Sequence, residues 1–478
     1  MLKKILSSTK FYIYSAYLPT VISLFTLPIV TPYLTLRDYG IYGILFSTYN
    51  LVAIVSNLGF VVEYQNSFFN SPDLYKDKWA NILGFQIIWN LITMFPLLAI
   101  VLWFTYKDLT NLELIVVLIS MSLSYIILDP LKTIGRRHMQ YTDKHKKLFY
   151  ISSLATLVQS ALTIALIMKY KVGFSAWFIG STLNSIIMAV FFIIHLKKLN
   201  TSIIFNFKLD QLFGRIKTQY TIVLHNLSSY ILDTSDKLLL VFFKVPMDQI
   251  GLYNLAYNYT NYGQTVNDSL NTVFSPLYLK SITDTKNGSN NSEITSLFKF
   301  WVCLVFIIII NMIIWSDYIF MFLYRNDSLN DAYLYSFPMI IALLYRPFYV
   351  MVVDNLIIQE KTKAVAFISI SSALLNFVLN VIFIPFYGIK ATVYSTAISY
   401  IYMGFAGLLV PFIKKQLTHI YIERYFIILF FIVASILAIS FIDFKPLIVK
   451  FLFFISSLVA VYLINRIQVN NYFTRIKK

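Results

Sequence analysis

A chain of 478 residues that is 58% hydrophobic and 17% aromatic, with only 13% charged residues and a mean hydropathy of +0.70, cannot cover a water-soluble surface of its size. Its net charge of +17 is spread along the chain rather than gathered on a soluble domain, which argues against nucleic acid as a partner. The single cysteine, Cys303, lies in an apolar run, which excludes a disulfide framework and a thiolate metal site.

The composition is that of an all-α, polytopic membrane protein. A spanning helix needs about 20 mainly apolar residues. Fourteen stretches qualify: 11–32, 39–62, 81–104, 111–129, 148–168, 173–195, 218–243, 250–278, 298–323, 333–358, 364–386, 389–413, 425–442 and 447–465. The connecting loops are short and leave no room for a soluble domain. Met1–Lys10 is short and basic, and the first apolar run has no small-residue cleavage site, so no cleavable signal peptide is expected. That first run carries Pro19, Pro28 and Pro32, which mark either a broken, mobile helix or its frayed outer end.

With the N-terminus placed inside, 28 of the 39 Lys and Arg residues fall in cytoplasmic segments and nine outside, while Lys237 and Arg346 lie within spans. This asymmetry predicts fourteen spans with both termini cytoplasmic. The segment Lys132–Lys147, with six basic residues, reads as a cytoplasmic loop that anchors to anionic lipid, and His138, His145 and His419 read as solvated or lipid-facing loop residues.

An internal repeat is visible. Tyr39-Gly40-Ile41-Tyr42 in the second span resembles Ile250-Gly251-Leu252-Tyr253 in the eighth, at an offset of 211. Gly173-Phe174-Ser175-Ala176 resembles Gly388-Ile389-Lys390-Ala391 at an offset of 215. Both pairs are separated by six spans, so the two copies face the same way. The expected architecture is two six-helix lobes in a parallel pseudo-two-fold repeat, 1–210 and 211–415, followed by two extra C-terminal helices in 416–478.

In the eighth span Asn254, Asn258, Asn261, Thr265, Asp268 and Thr272 fall at spacings of 4, 3, 4, 3 and 4, within roughly 40° of one line along a helix. The second span repeats this more weakly with Ser47, Asn50 and Asn57. Lipid cannot satisfy these groups, so they line either a wet cavity between lobes or a hydrogen-bonded helix interface. The seventh span, around SSYILDTSDKLLLVF, carries Asp233, Asp236 and Lys237 near its middle. Each charge costs roughly 2.5–3.5 kcal/mol at the centre of a spanning helix. Asp233 and Lys237, spaced i, i+4, form one candidate pair, which leaves Asp236 in need of water, a proton or another helix. In the tenth span Arg346 precedes Pro347, with Asp268 and Asp354 as candidate partners. No glycine-rich phosphate loop followed by Lys-Ser/Thr is present, so no ATP motor is encoded.

Three stretches carry a family resemblance: LPIVTPYLTLRDYGIYG at 27–43, LDTSDKLLL…IGLYNLAYNY from 232 to 259, and ALLNFVLNVIFIPFYGIKATVYSTAISY at 373–400. In this order they resemble bacterial polysaccharide biosynthesis flippases, the exporters of O-antigen and capsule repeat units. These belong to a superfamily that also holds multidrug-and-toxin extruders and the peptidoglycan-precursor flippase. The resemblance implies translocation of an undecaprenyl-pyrophosphate-linked oligosaccharide from the cytoplasmic to the outer leaflet of the bacterial inner membrane, by alternating access. It implies no cofactor, but coupling to a proton or sodium gradient, with Asp233, Asp236 and Asp268 as the carboxylates placed for it. Lys237 and Arg346 would receive the lipid pyrophosphate and sugars, and Asn50, Asn254, Asn258, Asn261 and Tyr257 are the further candidate substrate-binding residues. Lipid-linked oligosaccharide, membrane lipids, a polysaccharide polymerase and a chain-length regulator are the partners so implied. Tyr253, Tyr257, Tyr259 and Tyr262 serve either sugar stacking or packing. Three other readings stay open: a cation-coupled drug exporter of the same superfamily, a lipid-linked peptidoglycan precursor flippase, and a membrane polymerase or ligase, for which the outer loops are too short.

Overall fold

The computed structural model describes residues 18–197, 203–286, 291–414 and 447–459, the last stretch without 449 and 453. The thirteenth expected span, the end of the fourteenth, His419 and both termini lie outside the described residues. Among the described residues every regular element is helical. The helices up to Leu409, in chain order, are α1 (Leu18–Tyr33), α2 (Leu36–Asn57), α3 (Phe60–Asn70), α4 (Tyr75–Thr105), α5 (Asn111–Tyr141), α6 (His145–Tyr170), α7 (Ser175–Lys197), α8 (Leu209–Asp233), α9 (Asp236–Phe242), α10 (Met247–Lys286), α11 (Asn291–Ile314), α12 (Ser316–Leu323), α13 (Asp327–Ile358), α14 (Thr362–Tyr387) and α15 (Ile389–Leu409).

Seven of these are long and apolar enough to cross a bilayer, or eight if α11 and α12, bent by 65° at their junction, count as one span. The seventh and eighth expected spans, α8–α9 and α10, are not among the seven, because they carry the charges and the asparagine stripe. Large apolar side chains stand fully outward on the helices, with Trp103 82% and Phe386 77% exposed. Such surfaces belong against lipid. The chain is a multi-pass membrane protein.

By contacts the chain divides into two compact units. The first holds Met1–Tyr230, Leu240–Gly251 and Phe322–Leu329. The second holds Ile231–Leu239, Leu252–Met321 and Asn330–Lys478.

In the first unit, α2 starts at a reciprocal cap: Thr35 Oγ1 accepts from the Asp38 N–H, and Asp38 accepts from the Thr35 N–H at 2.8 Å. The second oxygen of Asp38 accepts from the Phe174 N–H at 2.9 Å, tying the start of α7 to that of α2. The two repeat glycines meet here. Gly40 lies against the Met247 backbone and Gly251 against the Leu36 backbone, so that a Cβ on either would approach a carbonyl oxygen to 2.4 or 2.0 Å. The contact is reciprocal at the repeat offset of 211, as in a local two-fold.

The basic segment Lys132–Lys147 is not a loop over most of its length. α5 runs on to Tyr141 through a π turn at Ser124–Leu128. Pro130 has no N–H to donate to the carbonyl of Ile126, and the wider turn just before it, with the Asp129 N–H donating to the Ser124 carbonyl, absorbs that mismatch. His138 is accordingly not solvated. It is 1% exposed, its Nδ1 lies 3.0 Å from His195 Nε2, and it packs edge-on against Trp79.

A core of Phe60, Tyr64, Trp79, Phe85 and Ile134 joins α3, α4 and α5. The chain entering α8 closes over it: the Ile204 N–H donates to the Ala80 carbonyl, and Phe207 stacks on Phe85 at 4.8 Å. Arg215 then pairs with Glu63 while its guanidinium lies 4.6 Å from the Phe85 ring and 5.3 Å from that of Phe60. Arg215→Ala would leave Glu63 without this partner and strip both rings of cover. We expect a destabilisation of about 1–3 kcal/mol, read as a lower Tm in detergent. An unchanged Tm would mean the ion pair contributes nothing.

In the second unit, α13 tightens to a 3-10 turn at Leu343–Tyr345 before Arg346 and Pro347. Its following turns pack Val352 and Leu356 against Ile368 and Ala364 of α14 and Ala406 of α15.

Candidate functional site

The seventh expected span is broken where its charges lie. α8 ends at Asp233, Thr234 and Ser235 form a turn, and α9 begins at Asp236. The break ends the i, i+4 register that an Asp233–Lys237 pair needs, and no ion pair joins those residues among the described ones. Asp233 Oδ1 instead accepts from the Tyr400 hydroxyl of α15 at 2.5 Å. Lys237 is 2% exposed, and its Nζ sits 4.4 Å from the centre of the Tyr257 ring, a cation–π contact.

Asp236 is fully buried and has found other helices. Its carboxylate accepts from the Tyr253 hydroxyl of α10 at 2.6 Å, the Thr396 hydroxyl of α15 at 2.8 Å and the Asn380 amide of α14 at 2.7 Å. Asn380 is itself held: its oxygen accepts from Ser395 Oγ at 2.5 Å. With three donors from three helices and Lys237 adjacent in sequence, the desolvated charge is compensated inside the unit.

Arg346 pairs with Asp268 at 3.0 Å. Gln264, with its amide oxygen turned to the guanidinium, accepts from the same side chain at 3.2 and 3.3 Å. Asp354 does not take part in this pair and accepts from Ser275 Oγ at 2.6 Å. This second cluster is more open: the Arg346 side chain is 20% and that of Asp268 46% exposed.

The asparagine stripe of α10 follows the same gradient. Asn254 is buried, Asn258, Asn261, Thr265 and Asp268 are half-buried, and Thr272 is exposed. Tyr257 is held against Lys237, Tyr253 is committed to Asp236, and the Tyr259 hydroxyl donates to the Met312 carbonyl at 2.7 Å. In the first unit Ser47 is buried and its hydroxyl lies 3.0 Å from that of Tyr230, while Asn50 and Asn57 are half-buried.

The structure thus brings Asp233, Asp236, Lys237, Tyr257, Asp268 and Arg346 into the second unit, on α8, α9, α10 and α13. Reading the sequence missed Asn380, Thr396 and Tyr400. Their signal was available: Asn376 and Asn380 on α14, and likewise Thr396 and Tyr400 on α15, recur at i, i+4, which puts each pair on one face. Chemically, two cations stand among three carboxylates. The cluster therefore offers sites for a cation or proton more readily than for an anion.

Comparison with curated protein sequences returns no match. Among solved structures, the chain is similar to the lipid II flippase MurJ in an inward closed conformation, with TM-score 0.67 and 17% identity over 96% of this chain and 99% of that one. It is also similar to an inward-facing multidrug resistance MATE family transporter of the MOP superfamily, with TM-score 0.61 and 13% identity over 85% and 98%. The outward-facing form of a MATE family transporter gives TM-score 0.55 and 12% identity over 87% and 96%. These likenesses show the fold, that of the polytopic MOP transporters. A family model described as polysaccharide biosynthesis protein matches residues 29–287, more than half of the chain, and the protein belongs to that family.

Proposed function

We propose that this protein is a flippase that moves an undecaprenyl-pyrophosphate-linked oligosaccharide, an O-antigen, capsule or related repeat unit, from the cytoplasmic to the outer leaflet of a bacterial inner membrane. The observation that carries the reading is the ionised network on the broken α8–α9 pair, in a chain of a polysaccharide biosynthesis family with a transporter fold. Ionisable side chains inside membrane-spanning segments are expensive and mark pathways or coupling sites. Asp233, Asp236 and Asp268 are the proposed coupling carboxylates, for protons or sodium, and no organic cofactor is invoked. Lys237 and Arg346 are proposed to act on the passing head group, Arg346 more directly because it is the more open of the two. A head group carrying a diphosphate and sugars has to cross about 30 Å of hydrocarbon, and polar, ionised walls lower that barrier. The cytoplasmic placement of both termini belongs to the same reading, as does a supporting polymerase and chain-length regulator. The drug-exporter alternative draws support from the carboxylates, which outnumber the cations in this cluster.

In cells lacking the gene, lipid-linked repeat units should accumulate in the inner leaflet, shielded from reagents added outside. Normal outward delivery would end the proposal, and a new drug sensitivity without glycan defects would favour the exporter. Arg346→Gln should lower delivery roughly tenfold, the effect of about 1.4 kcal/mol, at near-normal protein abundance. If abundance falls in step with delivery, the Arg346–Asp268 pair is structural.

A further inference from the structure

α14 and α15 are joined at Gly388, and a trough of about 370 Å3 runs between them, wholly within the second unit. That volume is in the range of small-molecule sites, about 300–1,000 Å3. The sequence builds the trough from side-chain size. Leu379, Phe383 and Tyr387 recur at every fourth position of α14 and form one wall, and Tyr394 and Ile398 form the other on α15. Between these ridges stand only Ala391 and Ser395, small and buried, at 7% and 3% exposed. The eight residues from Leu379 to Tyr387 give the trough a length of about 12 Å. Phe383, Tyr387, Tyr394 and Ile398 are exposed, so the trough opens outward, toward lipid.

Its two ends differ. α14 is long and apolar enough to span, so the turn at Gly388 lies at a membrane–water boundary, the level that tyrosines such as Tyr387 and Tyr394 favour. Lys390 stands at that end. It is exposed, it is the one charged residue of the lining, and no carboxylate pairs with it among the described residues. Leu379 and Ile398 close the deeper, apolar end. The floor offers nothing to a sugar, because the Ser395 hydroxyl is committed to Asn380 and to the Thr392 carbonyl. An apolar trough with a single cation at its mouth complements a hydrocarbon chain whose head carries one negative charge. A diphosphate would bring more charge than one ammonium balances.

We propose that this trough binds an anionic phospholipid, with one acyl chain between the walls and the phosphodiester on Lys390. Basic side chains beside apolar surface at the membrane boundary recognise lipid head groups in this way. The floor carries the occupant's influence inward. Ser395 donates to Asn380, and Asn380 donates to Asp236, so a chain seated on Ser395 braces the two helices that hold the buried carboxylate. The site is independent of the cargo that the protein moves.

The test uses the purified full-length protein in detergent. Native mass spectrometry follows the binding of phosphatidylglycerol, phosphatidylcholine and a polyprenyl diphosphate. Phosphatidylglycerol should bind about fivefold more tightly than phosphatidylcholine, the effect of one cation beside an anionic head group. Lys390→Gln should remove that preference, while Lys169→Gln, the same charge change on another exposed lysine, should keep it. Because a bound ligand stabilises the folded state, phosphatidylglycerol should raise the Tm of the wild type more than that of Lys390→Gln. In the wild type, phosphatidylglycerol with a diazirine in its acyl chain should label residues 379–398 first. An excess of unlabelled phosphatidylglycerol, but not of phosphatidylcholine, should suppress that label. Equal affinity for the two phospholipids, equal loss in both lysine variants, a Tm shift shared by Lys390→Gln, or labelling spread evenly over the lipid-facing helices would overturn the proposal. Tighter binding of the polyprenyl diphosphate would overturn it as well, assigning the trough to a polyprenyl chain.

Discussion

Asp236→Leu is expected to abolish most of the folded yield. The carboxylate is fully buried and accepts hydrogen bonds from Tyr253, Thr396 and Asn380, which come from α10, α14 and α15. Leucine would take this acceptor from three buried donors and leave Lys237 without its neighbouring charge. Breaking a buried charged network by removing one partner typically costs about 3–5 kcal/mol, against a total stability of about 5–15 kcal/mol. Asp236→Asn keeps an oxygen for Tyr253 and Thr396 but turns an N–H toward Asn380. It should fold with a smaller loss in Tm and, as the variant of a proposed coupling carboxylate, should make transport indifferent to the pH gradient. Yield by fluorescence-detected size exclusion, Tm, and transport with and without a gradient separate the two variants. Wild-type yield for Asp236→Leu would show that the network does not hold α9 in place. Unchanged gradient dependence for Asp236→Asn would remove Asp236 from the coupling role.

Gly251→Val is the second large effect expected. A Cβ at Gly251 would stand 2.0 Å from the Leu36 carbonyl oxygen, and one at Gly40 would stand 2.4 Å from that of Met247. Backbone atoms at helix starts cannot give way as side chains do, so the two starts must separate. Overpacking of this kind costs about 1–3 kcal/mol or more. Because both glycines serve one reciprocal contact, Gly40→Val and Gly251→Val should be non-additive, with a coupling of about 0.5–3 kcal/mol. Once either valine has pushed the helices apart, the second has less to disrupt. Tm values of the two single variants and the double variant check this. Strict additivity would mean that the two contacts act independently.

Much of the helical layout was legible because it rests on apolar runs alone. The expected spans at 81–104, 148–168 and 364–386 each fall inside a helix whose ends differ by only a few residues, and 173–195 is offset from its helix by two residues at each end. Gly40 and Gly251, matched to each other in the sequence, both stand where a neighbouring backbone comes too close for a side chain. What hydropathy could not show was the continuation of α5. Asp129 and Pro130 read as the end of a span, yet the π turn before them lets the helix continue, so Lys132, Arg136 and Arg137 lie on a helix and not in a loop. The same blindness to tertiary partners makes His138 read as a solvated or lipid-facing loop residue, though His195, 57 residues away, meets it. The charges of the seventh span were visible, but not the turn at Thr234–Ser235, because neither residue breaks helices strongly enough to announce it. The polar faces that carry Asn380 and Thr396 were visible, but not their pairing with Asp236, because they lie 144 and 160 residues away in sequence.

The most direct test of transport is reconstitution. The purified protein is placed in vesicles with a polyprenyl-diphosphate oligosaccharide fluorescently labelled on the sugar, and a membrane-impermeant quencher is added outside. With the protein present and a pH gradient imposed, quenching should reach the label of both leaflets, and Arg346→Gln should slow it. Quenching confined to the outer-leaflet label, as in protein-free vesicles, would contradict a flippase.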